Sequence, residues 1–151
     1  MQSSQPNLAA ESTPIRIAAA VIADADGRIL LVRKRATRFF MQPGGKLHSG
    51  ETAAAALARE LSEELGCTLL HADFLGTFSA PAANEPLHTV EALLYWARIA
   101  GHIQPAAEIE EMVWVEPSGT DDLPLAPLTR DHVLPLILRA GGAAGVAHRF
   151  N

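Results

Sequence analysis

Residues 15–23 are almost continuously aliphatic and end at the turn-like Asp24-Ala25-Asp26-Gly27, after which residues 29–32 are aliphatic again. Two short apolar runs around a glycine-containing loop predict a β-hairpin. A basic and aromatic stretch follows, Arg33-Lys34-Arg35 through Arg38-Phe39-Phe40, and then the loop Gln42-Pro43-Gly44-Gly45-Lys46. From Thr52 the pattern changes. Leu57, Leu61 and Leu65 recur at helical spacing in an Ala- and Leu-rich run, Thr52 suits an N-cap, and Gly66 stands where helices often close, so a helix is predicted over residues 52–65. Further strands are expected at residues 74–78, 89–99 and 112–115. Residues 128–140 have the composition of a second helix, which Pro135 should break or kink. The polar residues 1–13 are expected to be a flexible leader, and the Gly/Ala-rich residues 141–151 a flexible tail. With no repeat and no interdomain linker, residues 14–140 form one domain, and strands around two helices predict a mixed α/β class.

Composition narrows the function. A chain of 151 residues, 48% hydrophobic and 19% charged, is sized and composed for a single soluble core. Its net charge of −5 argues against long nucleic acids as partners, which need a positive surface. A small nucleotide stays open, because a metal ion supplies local positive charge. The aliphatic run at residues 17–23 is too short to cross a bilayer, and residues 1–13 lack the features of a secretion signal. A cytoplasmic location without membrane association is therefore expected. Cys67 is the only cysteine, which excludes an intrachain disulfide and a multi-cysteine zinc site. The six histidines are scattered and give a histidine-based metal site little support.

The stretch from Gly45 to Cys67 carries the chemistry. Glu60, Glu63 and Glu64 fall within about 100° of the helix, barely more than one turn. Three carboxylates this close raise one another's pKa unless a cation sits among them, and oxygen ligands of this kind suit a hard ion such as Mg²⁺ or Mn²⁺. A solvated acidic face, with Arg59 pairing to Glu63, would be the default for an arbitrary helix. Here the opposite face is apolar, and a Pro-Gly-Gly loop able to approach a ligand directly precedes the helix. Both features favour a site.

The spacing Gly45, five residues, Glu51, seven residues, Arg59-Glu60-Leu61-Ser62-Glu63-Glu64-Leu65-Gly66-Cys67 resembles the Nudix box. All seven fixed residue types match, a coincidence expected about once in 10⁸ starting points. Cys67 replaces the usual aliphatic residue with another small hydrophobe. A weaker likeness, including Trp114 in a later strand, extends over residues 15–140. The resemblance implies an α/β/α sandwich with a mixed sheet, and divalent-metal-dependent hydrolysis of a pyrophosphate bond in a nucleoside diphosphate derivative. It implies metal ligands at Glu60, Glu63 and Glu64, joined by the Gly44 carbonyl and by a later carboxylate, with Glu108 fitting better than Glu110 or Glu111. Glu60, or else Glu64, would activate the attacking water, while Arg59 orients a catalytic glutamate and Glu51 is structural. The expected metal is Mg²⁺, with Mn²⁺ a substitute.

Basic residues beside the loop, chiefly Arg33, Arg38 and Lys46 but also Lys34 and Arg35, are candidates for holding phosphates. Phe39, Phe40, Tyr95 and Trp96 could stack on a base, although core positions suit them better. The Gln42–Lys46 loop resembles that of the antimutator branch, which hydrolyses 8-oxo-dGTP; that branch can read the purine with an asparagine in a later Pro-rich loop. The comparable Leu123-Pro124-Leu125-Ala126-Pro127 offers no side-chain amide. Clean-up of nucleoside triphosphates or oxidised nucleotides is the favoured expectation, with an ADP-ribose or nucleotide-sugar pyrophosphatase as the alternative; Pro81, fourteen residues after Cys67, gives that alternative slight support. A non-catalytic nucleotide-binding module would be expected to lack one or more box glutamates, and all are present. Homodimerisation is compatible with the sequence.

Overall fold

The computed structural model describes residues 13–150, so nearly all of the expected N-terminal leader lies outside the described residues. Strand β1 (Ile15–Val21), β2 (Ile29–Lys34), β3 (Phe40–Met41) and β4 (Gly44–Lys46) precede helix α1 (Ala53–Leu65). Then come β5 (Thr68–Pro81), β6 (Thr89–Ala100), β7 (Ile109–Val115), a π-helical turn (Thr129–Val133), α2 (Leu134–Arg139) and α3 (Ala143–His148).

Helix α1 forms where its signals lie. The Thr52 hydroxyl accepts from the Ala55 N–H at 3.1 Å, and Gly66 closes the helix in the left-handed conformation. Leu57, Leu61 and Leu65 are fully buried. Fully burying three such side chains is worth roughly 5–9 kcal/mol before the entropy of ordering them.

The predicted hairpin is only half right. Its turn exists: Asp24 N–H bonds the Arg28 carbonyl at 2.9 Å, and Ala23 bridges Ile29. Beyond the turn the strands part into different sheets. One sheet runs β4-β1-β6-β5 with β1 parallel to β6, and the other runs β3-β2-β7 and is antiparallel throughout. Both β1 and β2 are apolar on both faces, which suits central strands covered on each side. Ala18, Ala20, Leu30 and Val32 pack with α1, whereas Ala19, Val21, Ile29 and Leu31 pack with α2 and α3. The result is the expected α/β/α sandwich with mixed pairing.

The second helix is irregular where Pro135 is expected to break or kink it: the π-helical turn runs up to Val133, and α2 begins at Leu134 with Pro135 in its first turn. One further element differs from expectation. Residues 143–148 are helical rather than a loose tail, because Ala143 and Val146 are buried in the core beside Ile137. The alanines and the valine that made this segment look featureless are small enough to pack closely there.

Candidate active site

A cleft of about 450 Å³ opens where β4, α1 and the start of β1 meet. Its apolar part is lined by Ile15, Ile17, Ala19, Met41 and Val90. Its polar part contains Gly44, Gly45, Lys46, Glu60, Glu64 and Glu108.

Strand β4 brings the glycines onto the acids. It pairs antiparallel with β1, Gly44 opposite Ala19 and Gly45 opposite Ala18. Gly44 has φ 146°, and a Cβ there would run into the Ala18 carbonyl. A Cβ on Gly45 would collide with the Glu60 carboxylate, lying 2.7 Å from both of its oxygens. The paired glycines are thus required for a close approach between strand and acid.

The two cleft glutamates have different surroundings. Glu64 is 6% exposed and accepts from the Gly44 N–H at 3.3 Å. Burial raises its carboxyl to about 8, opposed by that N–H, supported by the Glu60 charge, and opposed again by Lys34. Glu60 accepts from Arg59 Nη1 at 2.8 Å. Arg59 in turn grips Glu51 with Nε at 2.8 Å and Nη2 at 3.0 Å, and donates to the Lys46 carbonyl at 3.0 Å. Hydrogen bonds from Arg59, then from the His48 N–H, hold the Glu51 carboxyl down at about 2. Arg59 is driven further toward its charged form, chiefly by Glu51. Glu51, Arg59 and Glu60 therefore form a chain that ties the β4–α1 loop to the cleft.

Not every expected residue meets here. Glu63 lies on the flank of α1, half exposed, 3.7 Å from Arg59, and does not line the cleft. Glu60 and Glu64 are one helical turn apart and share a direction, whereas Glu63 is 100° from Glu64. Glu108 does line the cleft, with Lys34 Nζ at 3.7 Å, while Glu110 and Glu111 are drawn off to Arg35 and Arg33. Arg33 is committed to Glu111 at 3.1 Å and to the Thr37 carbonyl at 2.8 Å, and Arg38 stacks over Phe39. Neither lines the cleft. Of the three chosen phosphate contacts only Lys46 does, and Lys34 and Arg35 stand there instead. The β2 ladder shifts register between Arg33 and Lys34, and Arg35 lies just past the end of β2. None of the four aromatic candidates lines the cleft; Phe40 is a core residue and Trp96 packs partly against the core.

Among the described residues no three acidic, cysteine or histidine side chains are already grouped to hold a metal. The donor set nevertheless fits a hard divalent cation. A buried carboxylate has no cationic hydrogen-bond partner, a second carboxylate lies across from it, and the Gly44 backbone is adjacent. A larger cavity of about 520 Å³ lies between the β1–β2 loop and α3, lined in part by Trp96 and Arg98. Its acids, Asp24 and Asp73, are already engaged by Arg28 and His71. We therefore place the chemistry in the smaller cleft.

An α/β/α sandwich that presents a Gly-Gly strand to a helix-borne acid pair is laid out to offer oxygen ligands to a cation at the cleft. Comparison with known proteins makes this specific. The NUDIX domain profile matches residues 13–136. The CTP pyrophosphohydrolase of Escherichia coli K12 is 31% identical over 119 residues, covering 75% of this chain and 84% of that one. The 8-oxo-dGTP diphosphatase of Haemophilus influenzae is 40% identical over 68 residues, 42% of this chain and 50% of that one. The solution structure of the E. coli ORF135 protein superposes with a TM-score of 0.69 at 27% identity, over 87% of this chain and 95% of that one. The chain belongs to the Nudix family and is a Nudix pyrophosphohydrolase, acting on small nucleotide substrates.

Proposed function

We propose that this enzyme hydrolyses the pyrophosphate bond of a nucleoside triphosphate or an oxidised nucleotide, with Mg²⁺ as its metal and Mn²⁺ as a substitute. The observation that carries this reading is the buried Glu64 carboxylate beside Glu60 and Gly44, a site that calls for a cation. Glu60, Glu64 and the Gly44 carbonyl would hold the ion, joined when substrate arrives by Glu108, which lines the same cleft, and by Glu63, next to Glu64 on α1. Such an ion neutralises phosphate charge and lowers the pKa of water. The chain's own groups do the rest. Glu60, positioned by Arg59, accepts the proton of the attacking water; that oxygen bonds to phosphorus as the bridging P–O bond breaks and the leaving phosphate departs with the bridging oxygen. Glu64 is the alternative proton acceptor. Lys46, with Lys34 and Arg35, holds the departing phosphates electrostatically.

The names of the relatives divide: a CTP pyrophosphohydrolase and 8-oxo-dGTP diphosphatases act on triphosphates, while an ADP-ribose pyrophosphatase is 29% identical over 93 residues. The triphosphate names are the more numerous and favour a triphosphate over ADP-ribose or a nucleotide sugar. The test is a hydrolysis screen with Mg²⁺ across nucleoside triphosphates, 8-oxo-dGTP, ADP-ribose, dinucleoside polyphosphates and NADH, with products identified. Triphosphates should be cleaved fastest. Full turnover in excess chelator, or preferential cleavage of ADP-ribose, would overturn the proposal.

A further inference from the structure

One buried side-chain polar atom among the described residues lacks a hydrogen-bond partner: Nε2 of Gln42. Gln42 is 5% exposed and lines the active-site cleft. A buried N–H without a partner is costly, and native proteins keep few of them without a reason. We propose that Gln42 is a specificity-determining residue whose Nε2 donates to the carbonyl oxygen at C6 of a purine or C4 of a pyrimidine, so that bases with a keto group at that position (guanine, 8-oxoguanine, uracil) are preferred to those with an amino group there (adenine, cytosine). This deepens the reading of the cleft as a nucleotide site and rests on it.

The surroundings fix the carboxamide. Its Oε1 accepts from the hydroxyl of Thr129, itself fully buried, at 2.7 Å. With Oε1 occupied, the free end is the donor end. The backbone on both sides is also pinned: Phe40 N–H bonds the Pro124 carbonyl at 2.8 Å, Ala126 N–H bonds the Phe40 carbonyl at 2.9 Å, and Ala20 N–H bonds the Pro43 carbonyl at 3.0 Å. A donor held this firmly is preorganised for one acceptor.

Its place in the cleft suits a base. Ile17, Met41 and Val90 give an apolar slot for a flat ring, and Gln42 is two residues before Gly44, whose N–H holds Glu64. The same short segment therefore ties a base-facing donor to the acid that serves the phosphates. Leu123-Pro124-Leu125-Ala126-Pro127 has no side-chain amide, and Gln42 supplies one from just beyond β3, the strand that this segment pairs with through Phe40. Because Nε2 is closed off from solvent, base entry requires a small movement of the cleft wall. A keto oxygen at that position then meets the waiting donor, whereas an exocyclic amine there sets donor against donor. The resulting preference is about ten- to a hundredfold, the range set by one unpaired buried group.

The experiment reads base preference with and without turnover. Dissociation constants for GMP, AMP, UMP and CMP are measured by calorimetry with Mg²⁺, and kcat/KM for the four triphosphates, in the wild type and Gln42→Leu. The wild type should favour GMP over AMP and UMP over CMP by about tenfold or more, and Gln42→Leu should bring both ratios close to one. If Gln42→Leu does not fold, Thr129→Val, which unlocks the carboxamide, should lower the same ratios. Equal binding of keto and amino bases by the wild type, or ratios unchanged in the variants, would overturn the inference while leaving pyrophosphate hydrolysis intact. Conversely, keto preference in monophosphate binding without cleavage of any triphosphate would retain Gln42 and sink the proposed reaction.

Discussion

Replacing Glu64 with Gln in metal-free protein should change how stability depends on pH. Burial raises this carboxyl from its ordinary 4.5 to about 8, although the Gly44 N–H partly opposes the rise. Between those pH values the folded protein keeps a proton that the unfolded chain has released. Stability is therefore fully present below about 4.5 and lost as pH rises through 8. At roughly 1.4 kcal/mol per pH unit, the loss is about 3 kcal/mol by pH 7 and about 5 kcal/mol well above pH 8. Gln is close in size, neutral throughout, and keeps an oxygen for the Gly44 N–H. In urea unfolding at pH 5, 6, 7 and 8 with chelator, the wild type should lose stability steadily while Glu64→Gln stays nearly flat. Adding Mg²⁺ or Mn²⁺ at pH 8 should restore the wild type, since a cation takes the proton's place, and help the variant less. Parallel pH profiles for the two proteins in chelator would refute the reasoning.

Three further outcomes are expected. Glu60→Gln should lower kcat by about 10²- to 10⁴-fold with little change in melting temperature, whereas Glu51→Gln, which turns a donor toward Arg59, should lower the melting temperature and affect kcat less; the reverse pattern would exchange their roles. Gly45→Ala should displace the Glu60 carboxylate and cost about 10²-fold in kcat with near-normal stability, checked by steady-state kinetics and thermal melting. Val146→Ala should destabilise by about 1.5–3 kcal/mol in urea unfolding, because α3 is part of the core; an unchanged midpoint would return residues 143–148 to the status of a loose tail.

What could be read from the sequence follows from where each signal resides. Helix α1 declared itself because its cap, apolar spacing and closing glycine are all local. Glu60, Glu64 and Glu108 were identifiable, the first two through their helical spacing and the box, the third through its place before β7. The parting of β1 from β2 was not legible, since strands apolar on both faces carry no alternation to show which neighbour each will choose; β1 finds β6 some 75 residues on. The 14-residue β5 looked short because His71, Ala72 and Asp73 interrupt its apolar run and register shifts break its pattern. Charge near the loop could not distinguish Arg33 from Lys34, which depends on which face of β2 looks into the cleft. Gln42 gave no sequence signal, because its meaning depends on Thr129, 87 residues away.

The ion pairs around the cleft divide into two kinds, and the division bears on how an acidic protein accepts an anionic substrate. Arg59 is 22% exposed and holds Glu51, 17% exposed, through two bonds of 2.8 and 3.0 Å, so this pair is part of the fold. Lys34 with Glu108 at 3.7 Å and Lys46 with Glu85 at 3.6 Å are long, single and exposed. Pairs of that kind contribute roughly 0–1 kcal/mol and give way to a better partner. The proposed triphosphate substrate would be such a partner, carrying several charges where each glutamate carries one. When Lys34 turns to phosphate, Glu108 loses its cation and is left at the cleft beside Glu60 and Glu64. A site that lacks a third grouped acid without substrate can thereby gain one as substrate binds. On the reading proposed above, the permanent pair keeps Glu60 in place, and the exchangeable pairs would let phosphate and metal charge enter together.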